Sequence, residues 1–379
     1  MPSAHRFAVA RAAIAAAVLL LLNAAEARAQ GCVASRMSAP GGAVDSEGQS
    51  YYVAKGQWQA SFGFRGYRSH RHFVGSVEQN AENVTLGLAE RDRSGSEVIN
   101  HVYLPQATLS YGINDRLSLT ADLPYFTANR RSPGNANRPS YVTTASGIGD
   151  LSLAGRYWLA KPSPHSQQNL SLGLGVKLPT GNDRAEDAFL DRVDPVSGER
   201  FTTVRPVDNS IQPGDGGWGM IAEVQAFKSF SRFTAFASGS YMSTPQEQND
   251  YLRDPTNANP DPSSAYYSIA DQFAARVGVG TAVKRFGFSM AARLEGVPSS
   301  DLIGGDMGRR RPGYSIAIEP GVSYSWGRYA FSLSVPYLVR RVRTQNISDR
   351  LATERTGEYQ NGDAAFADYV VAVGFSRRF

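Results

Sequence analysis

The chain has 379 residues, is 42% hydrophobic, carries a formal charge of +5 and contains a single cysteine. One cysteine excludes an internal disulfide, and so small a net charge excludes a nucleic-acid-binding balance, so no nucleic-acid partner is expected. Past the first 29 residues no apolar run is long enough for a membrane-spanning helix, and no sustained i, i+3, i+4 pattern marks amphipathic helices. Instead, 37 Gly, 18 Tyr and 18 Phe accompany repeated period-2 alternation, which suits an all-β protein with aromatic girdles.

The N-terminus carries the marks of an export signal. Arg6 and Arg11 precede an apolar run over residues 12–22, and Ala27-Arg28-Ala29 fits a small-x-small cleavage site. Residues 1–29 are therefore expected to be a signal peptide, and 30–56 a flexible periplasmic segment or plug. Residues 57–379 are expected to form the folded unit. Cys32 lies close to the start of the mature chain. The preceding Ala29-Gln30-Gly31 is a poor lipidation context, so a free thiol in a flexible tail is the plainer reading.

Twelve segments alternate an apolar face with a polar or small one, as membrane-crossing strands of about 9–11 residues must. They run over 57–68, 98–112, 117–127, 149–159, 169–179, 218–228, 233–243, 272–283, 286–296, 314–326, 329–339 and 367–379. In the first, Trp58, Ala60, Phe62 and Phe64 oppose Gln57, Gln59, Ser61 and Arg65. The second and third, joined through Asn114-Asp115, form the cleanest hairpin. The Ala-rich sixth and seventh have the least defined apolar faces. In the last, Tyr369, Val371, Val373, Phe375 and Phe379 share one face, and the chain ends on an aromatic. Connections after even-numbered strands are short, about 2–9 residues, and those after odd-numbered strands are long, about 16–38. Short periplasmic turns with long outer loops are the asymmetry of an up-and-down transmembrane antiparallel β-barrel, and place both termini in the periplasm.

Alternation then assigns the inner face. Arg65, Asp122, Asp150, Arg156, Lys177, Glu223, Arg276, Arg293, Glu295 and Glu319 are the candidate lumen-lining charges. Both signs are present, so they are expected to pair across the lumen or to orient polar solutes. Twelve strands lie between a filled eight-strand barrel and an open sixteen-strand porin. A narrow conduit is therefore expected, plugged by 30–56 or by the long third loop. A non-conducting scaffold with binding loops is the alternative.

Leu123-Pro124-Tyr125, Leu178-Pro179-Thr180, Val297-Pro298-Ser299 and Val335-Pro336-Tyr337 repeat a proline near the outer end of upward strands, with Thr244-Pro245 a looser instance. Proline donates no ladder hydrogen bond, so a bend or strand end is expected at each. The stretches Tyr111–Tyr125, Gly147–Tyr157, Gly175–Gly181, Glu319–Trp326 and Ser334–Tyr337 resemble outer-membrane proteins grouped with the MetA pathway of phenol degradation, over roughly 100–379. The resemblance implies a barrel that passes small, aromatic or hydrophobic molecules, and it brings no catalytic signature. For a terminal strand like 367–379 it also implies reading by the outer-membrane barrel-assembly machinery.

No catalytic residue, cofactor or metal site emerges. His70-Arg71-His72, expected in the first outer loop, lacks a carboxylate partner in the sequence nearby. His101 is the one strand-borne His available to a lipid-hydrolysing barrel, and no Ser stands beside it in a recognisable motif. Asp183, Glu186, Asp187, Asp191 and Asp194 in the third loop do not match an EF-hand and read as solvated loop charge. Arg309, Arg310, Arg311, Arg340, Arg341 and Arg343 cluster at the outer side of strands ten and eleven, and are candidates for contact with lipopolysaccharide phosphates. Expected partners are outer-membrane lipids and lipopolysaccharide, the barrel-assembly machinery and a small-molecule solute.

Overall fold

A computed structural model describes residues 52–134, 139–163, 166–194 and 196–379, without the side chain of Asp191. The expected signal peptide, Cys32, His165 and almost all of 30–56 lie outside the described residues.

The alternating segments become strands β1 (Trp58–Val74), β2 (Val77–Glu78), β3 (Ile99–Gly112), β4 (Leu117–Ser132), β5 (Tyr141–Ile148), β6 (Leu151–Trp158), β7 (Gln168–Leu178), β8 (Glu186–Val193) and β9 (Arg200–Pro206). They continue with β10 (Gly219–Ser229), β11 (Thr234–Ser243), β12 (Gln272–Val283), β13 (Phe286–Val297), β14 (Gly313–Trp326), β15 (Tyr329–Ser334), β16 (Tyr337–Arg343) and β17 (Ala364–Arg378). Among the described residues, two short helices, α1 (Ala81–Thr85) and α2 (Ile347–Thr356), sit in the first and last long loops.

β5 and β6 together make one stave of the wall, as do β15 and β16. Twelve antiparallel staves result, and β17 closes on β1 from Gln59↔Arg378 to Phe73↔Ala364. Closure removes both sheet edges, which would otherwise be unpaired backbone in lipid. The outer face is apolar and exposed: Phe62, Leu119, Leu174, Val277, Phe288, Ile318 and Phe331 all point outward. An aromatic girdle marks the end that holds the short turns. Trp58 packs on Tyr111 at 4.5 Å, Phe286 on Tyr324 at 4.9 Å and Tyr329 on Phe375 at 6.0 Å. Arg377, outward in an apolar row, lies over the rings of Phe379 at 4.6 Å and Tyr329 at 5.5 Å, a cation–π placement that keeps its charge at the interface.

The staves are longer than expected at their loop-bearing ends. β1 has 17 residues, roughly 55 Å of strand at about 3.3 Å per residue, far more than an apolar band of about 25 Å needs. The apolar outer face stops at the bilayer, but the hydrogen-bond ladder continues above it on polar residues such as Arg68 and Asn129. His70, Arg71 and His72 therefore stand in β1 and not in a loop.

The prolines divide into two kinds. Pro179 and Pro298 follow the last residues of β7 and β13. Pro124 lies inside β4 and Pro336 between β15 and β16 of one stave, so neither marks a rim.

The wall opens where β5 meets β6. β6 pairs β7 up to Leu151↔Leu178, and above that point β5 pairs only with β4. The third long loop covers the bare edge of β5: Asp187 accepts hydrogen bonds from Thr144 N at 2.6 Å and Thr144 Oγ1 at 3.1 Å, and Tyr141 packs on Phe189. That loop forms the separate β8–β9 hairpin, which the sequence reading did not anticipate.

Candidate functional site

The loop-bearing half of the barrel is filled from within. After β9 the third loop turns inward, and Val207 and Ile211 become fully buried among Tyr67, Val102, Leu104, Phe126, Ala317 and Val370. Glycine makes the entry possible. A Cβ on Gly214 would lie 2.6 Å from Gly181 O, and one on Gly149 would lie 2.9 Å from Pro124 Cγ, so these backbones pass too closely for side chains. Gln212 secures the turn by bonding Ala185 N, Ala185 O and Val207 O.

Charge anchors the same segment. Arg311 grips Asp208 with two bonds of 2.7 Å, and Arg130 of β4 stands 3.8 Å away. Burial works against the charged form of Asp208, but Arg130 and Arg311 outweigh it and hold the carboxyl well below the usual carboxylate range. Neighbouring loops are tied in the same way. Arg310, wholly buried, makes bonds of 2.7 and 2.6 Å to Asp301, and Arg343 holds Asp349 at 2.9 Å.

These contacts correct the reading of the arginine cluster. Arg310, Arg311, Arg341 and Arg343 are buried and paired inside the barrel and its cap, Arg341 with Ala367 O and Asp368. They are not available to lipopolysaccharide phosphates. Arg309 is half-buried, and Arg340 is the exposed member of the group. For Arg341 and Arg343 the cause is a bulge. Ile316 pairs with Arg340 and Ala317 with Leu338, so Val339 is an extra residue that reverses the alternation and turns Arg341 and Arg343 inward.

Below the inward loop, the charges expected on the inner face are brought together in three groups. Glu319 of β14 accepts from Arg276 Nε at 3.0 Å and Arg293 Nε at 2.7 Å. Arg293 reaches Glu295 at 3.5 Å, and Arg65 of β1 meets the same carboxylate at 3.3 Å. As β1 and β13 are not neighbours in the wall, this last pair spans the interior. Arg156 of β6 meets Glu223 of β10 at 2.7 Å across β7. Both pair in register with Gly173, whose absent side chain leaves the space: a Cβ there would lie 2.9 Å from Glu223 Oε2. Lys177 lies between Asp150, at 3.4 Å, and Asp215 from the third loop. Asp122 stands apart from the ion pairs; Gln106 Nε2 donates to it at 2.9 Å, as does Thr108 Oγ1.

A cavity of about 100 Å³ lies between these groups and the inward loop. Its lining combines the apolar residues Leu104, Pro124, Phe126, Ile221, Met242 and Pro213 with the polar residues Gln106, Asp122, Asp150, Lys177, Asp215 and Glu223. Sequence reasoning missed Asp208, Asp215 and Ile211. The signal available was a Gly-rich stretch, Pro213-Gly-Asp-Gly-Gly217, following an isolated isoleucine in a polar loop.

The three described histidines have structural partners, as do Asp363 and Asp194. His72 bonds Asp363 at 2.9 Å, His70 faces Asp368 at 3.6 Å and His101 bonds Asn129 at 3.1 Å. Burial opposes the charge on Asp363, but His72 and Arg93 hold it well below the usual range. Asp194 caps its own turn through Val196 N and Ser197 N. Among the described residues no cluster of three or more His, Cys, Asp or Glu is arranged to hold a metal ion.

Residues 79–195 match the family model described as the MetA-pathway of phenol degradation, the family that the strand motifs resemble. No curated protein matches the chain. Among solved structures, an outer membrane channel from Pseudomonas putida F1 superposes with a TM-score of 0.52 at 11% identity, covering 86% of this chain and 97% of that one. A toluene transporter of Pseudomonas putida gives a TM-score of 0.41 at 10% identity, covering 92% of this chain and 96% of that one. The first of these likenesses establishes the fold as that of an outer-membrane β-barrel.

Proposed function

We propose that the protein is an outer-membrane channel for passive diffusion of small solutes, with aromatic and hydrophobic molecules as the expected class. One observation carries this reading: a closed wall surrounds a cavity lined by both apolar and charged side chains, roofed by a loop held in place by ion pairs. Closed barrels with an apolar exterior belong in lipid. The inner charges Arg65, Asp122, Asp150, Arg156, Lys177, Glu223, Arg276, Arg293, Glu295 and Glu319 are proposed to line the solute path and to set its width and polarity. The family match over 79–195 and the superposed Pseudomonas putida channel support transport over catalysis.

Residues 1–29 are proposed to direct export. The row Tyr369, Val371, Val373, Phe375 and Phe379 is proposed to be read by the barrel-assembly machinery, and exposed Arg340 to meet lipopolysaccharide at the outer rim.

Single-channel recording on the purified protein in planar bilayers tests the channel reading. Stepwise conductance is expected, together with uptake of small solutes by vesicles that contain the protein. A second reading, a non-conducting scaffold, is favoured by the Arg65–Glu295 pair across the interior and by the buried loop segment around Ile211. Absence of both conductance and uptake would establish it over the channel.

A further inference from the structure

We propose that the outer face of the wall above its apolar band, over β3, β4 and β5, is a docking site for the phosphorylated disaccharide headgroup of lipopolysaccharide; this rests on the outer-membrane placement. Three rows of residues share that face because register pairs them strand to strand. Tyr103, Thr127 and Ser146 form the lowest row, Arg68, His101, Asn129 and Thr144 the next, and Ile99, Arg131 and Val142 the highest. Their neighbours in sequence, Val102, Leu104, Phe126, Ala128 and Ala145, are buried on the inner side. Tyr125 and Ile148, paired just below and about half exposed, end the apolar band. The three rows therefore stand at the level of the outer-leaflet headgroups, continuous with a surface that already meets lipid.

The chemistry of the rows fits such a headgroup. Between loop residues 182–186 and strands β3 to β5 lies a groove of about 410 Å³, within the range of roughly 300–1,000 Å³ of small-ligand clefts. Tyr103, Thr127, Asn129, Thr144, Ser146 and Asn182 line it, one ring among hydroxyls and amides. A sugar needs that combination: an aromatic surface beneath its C–H bonds, and donors and acceptors around its edge. His101 Nδ1 lies 3.1 Å from Asn129 Oδ1, which leaves the Asn129 amide nitrogen to donate to a sugar hydroxyl. Glu186 and Asp187 bound the loop side, so phosphates are excluded there. Arg68 and Arg131 bound the strand side. Both are exposed, and among the described residues neither forms an ion pair. Two strand spacings of about 4.8 Å and two residues of about 3.4 Å separate them by about 12 Å, the span of a disaccharide with a phosphate at each end. Guanidinium groups bind phosphate by paired, charge-assisted hydrogen bonds.

The test uses the purified full-length protein in detergent. Native mass spectrometry reads the dissociation constants of three lipids: bisphosphorylated lipid A, its monophosphorylated form and phosphatidylglycerol. Bisphosphorylated lipid A is expected to bind about tenfold more tightly than phosphatidylglycerol, with the monophosphorylated form between them. Arg68→Gln with Arg131→Gln is expected to remove that advantage, a loss of about tenfold, the scale of two exposed charge pairs. Asn129→Ala with Ser146→Ala is expected to weaken both forms of lipid A and leave phosphatidylglycerol unchanged. Equal binding of the three lipids overturns the proposal, as does a double arginine variant that keeps wild-type affinity, or a loss produced instead by Arg340→Gln. If the arginine variant does not fold, hydroxyl-radical footprinting of the wild type decides. Protection of Tyr103 and His101 by lipid A supports the site, and unchanged labelling overturns it. Recovery of the native protein outside the outer-membrane fraction refutes the placement on which the proposal rests, whereas the lipid ranking judges the site itself.

Discussion

Replacing Glu319 by Gln should destabilise the barrel and change its ion selectivity together. Glu319 has 1% of its side chain exposed and joins Arg276, equally buried, to Arg293. At 3.0 and 2.7 Å, each contact is worth about 6 kcal/mol of Coulomb attraction at an effective dielectric constant near 20, before desolvation is subtracted. Gln keeps the shape and one acceptor but leaves two guanidinium groups with Glu295 as the remaining nearby carboxylate, 3.5 Å from Arg293. Breaking a buried pair costs about 3–5 kcal/mol, and the retained acceptor argues for about 3. With a urea slope of about 1–3 kcal/mol per molar, the unfolding midpoint should fall by at least about 1 M. The assay is urea unfolding in lipid vesicles, with the folded fraction read from the gel-mobility difference between unboiled and boiled samples. The same variant adds one positive charge to the inner cluster, so its reversal potential in a salt gradient should shift toward anions. Stability within about 0.5 kcal/mol of wild type, with unchanged selectivity, would refute the argument that these charges compensate one another in a low-dielectric interior.

Gly173→Val should displace Glu223 from Arg156, because the new Cβ would meet Glu223 Oε2 at 2.9 Å; lower conductance in a folded barrel is the expected readout, and unchanged conductance would place the solute path elsewhere. Asp208 fixes a pH dependence. Its folded-state pKa lies below the ordinary carboxylate value, so its contribution is fully present above about pH 4 and is lost only as pH falls through the depressed value. Protease resistance of the third loop should therefore be unchanged between about pH 7 and 5 in the wild type. Asp208→Asn should expose the loop to cleavage already at neutral pH; equal resistance of the two proteins would remove Arg311–Asp208 as the anchor. Phe379→Ala should lower the fraction of chains assembled in cells while leaving the unfolding midpoint of the assembled barrel within about 1 kcal/mol of wild type, since a half-exposed terminal ring contributes little to burial. An assembled fraction equal to wild type would contradict its proposed role as an assembly signal.

The barrel was legible because its two governing constraints are local. Period-2 alternation decides which residues meet lipid, and in Phe62–Phe64 or Leu170–Val176 it is visible residue by residue. Turn residues such as Asn114-Asp115 and Gly327 set the short connections, the latter with φ of 59°. Strand ends were less legible. The upper parts of β1 and β4 have polar outer faces, and alternation of polar with small residues does not stand out from a loop. The arginine cluster was misread for a related reason. One bulged residue, Val339, exchanges inside for outside along β16, and no periodicity reveals a bulge before the pairing is known.

Sequence alone thus determined the wall: twelve staves, their inner and outer faces except beyond the bulge at Val339, and a set of inward charges of both signs. Tertiary structure decided how those charges combine. Arg65 and Glu295 are 230 positions apart in the chain, and Arg156 and Glu223 are 67 apart, yet each pair meets inside the barrel. It also decided that the third loop, and not merely its length, matters: Asp208, Ile211 and Asp215 enter the interior because Gly149, Gly181 and Gly214 let backbones pass and Arg311 and Lys177 receive the carboxylates. Alternation depends on the nearest two residues; ion pairing depends on which strands closure and register bring face to face.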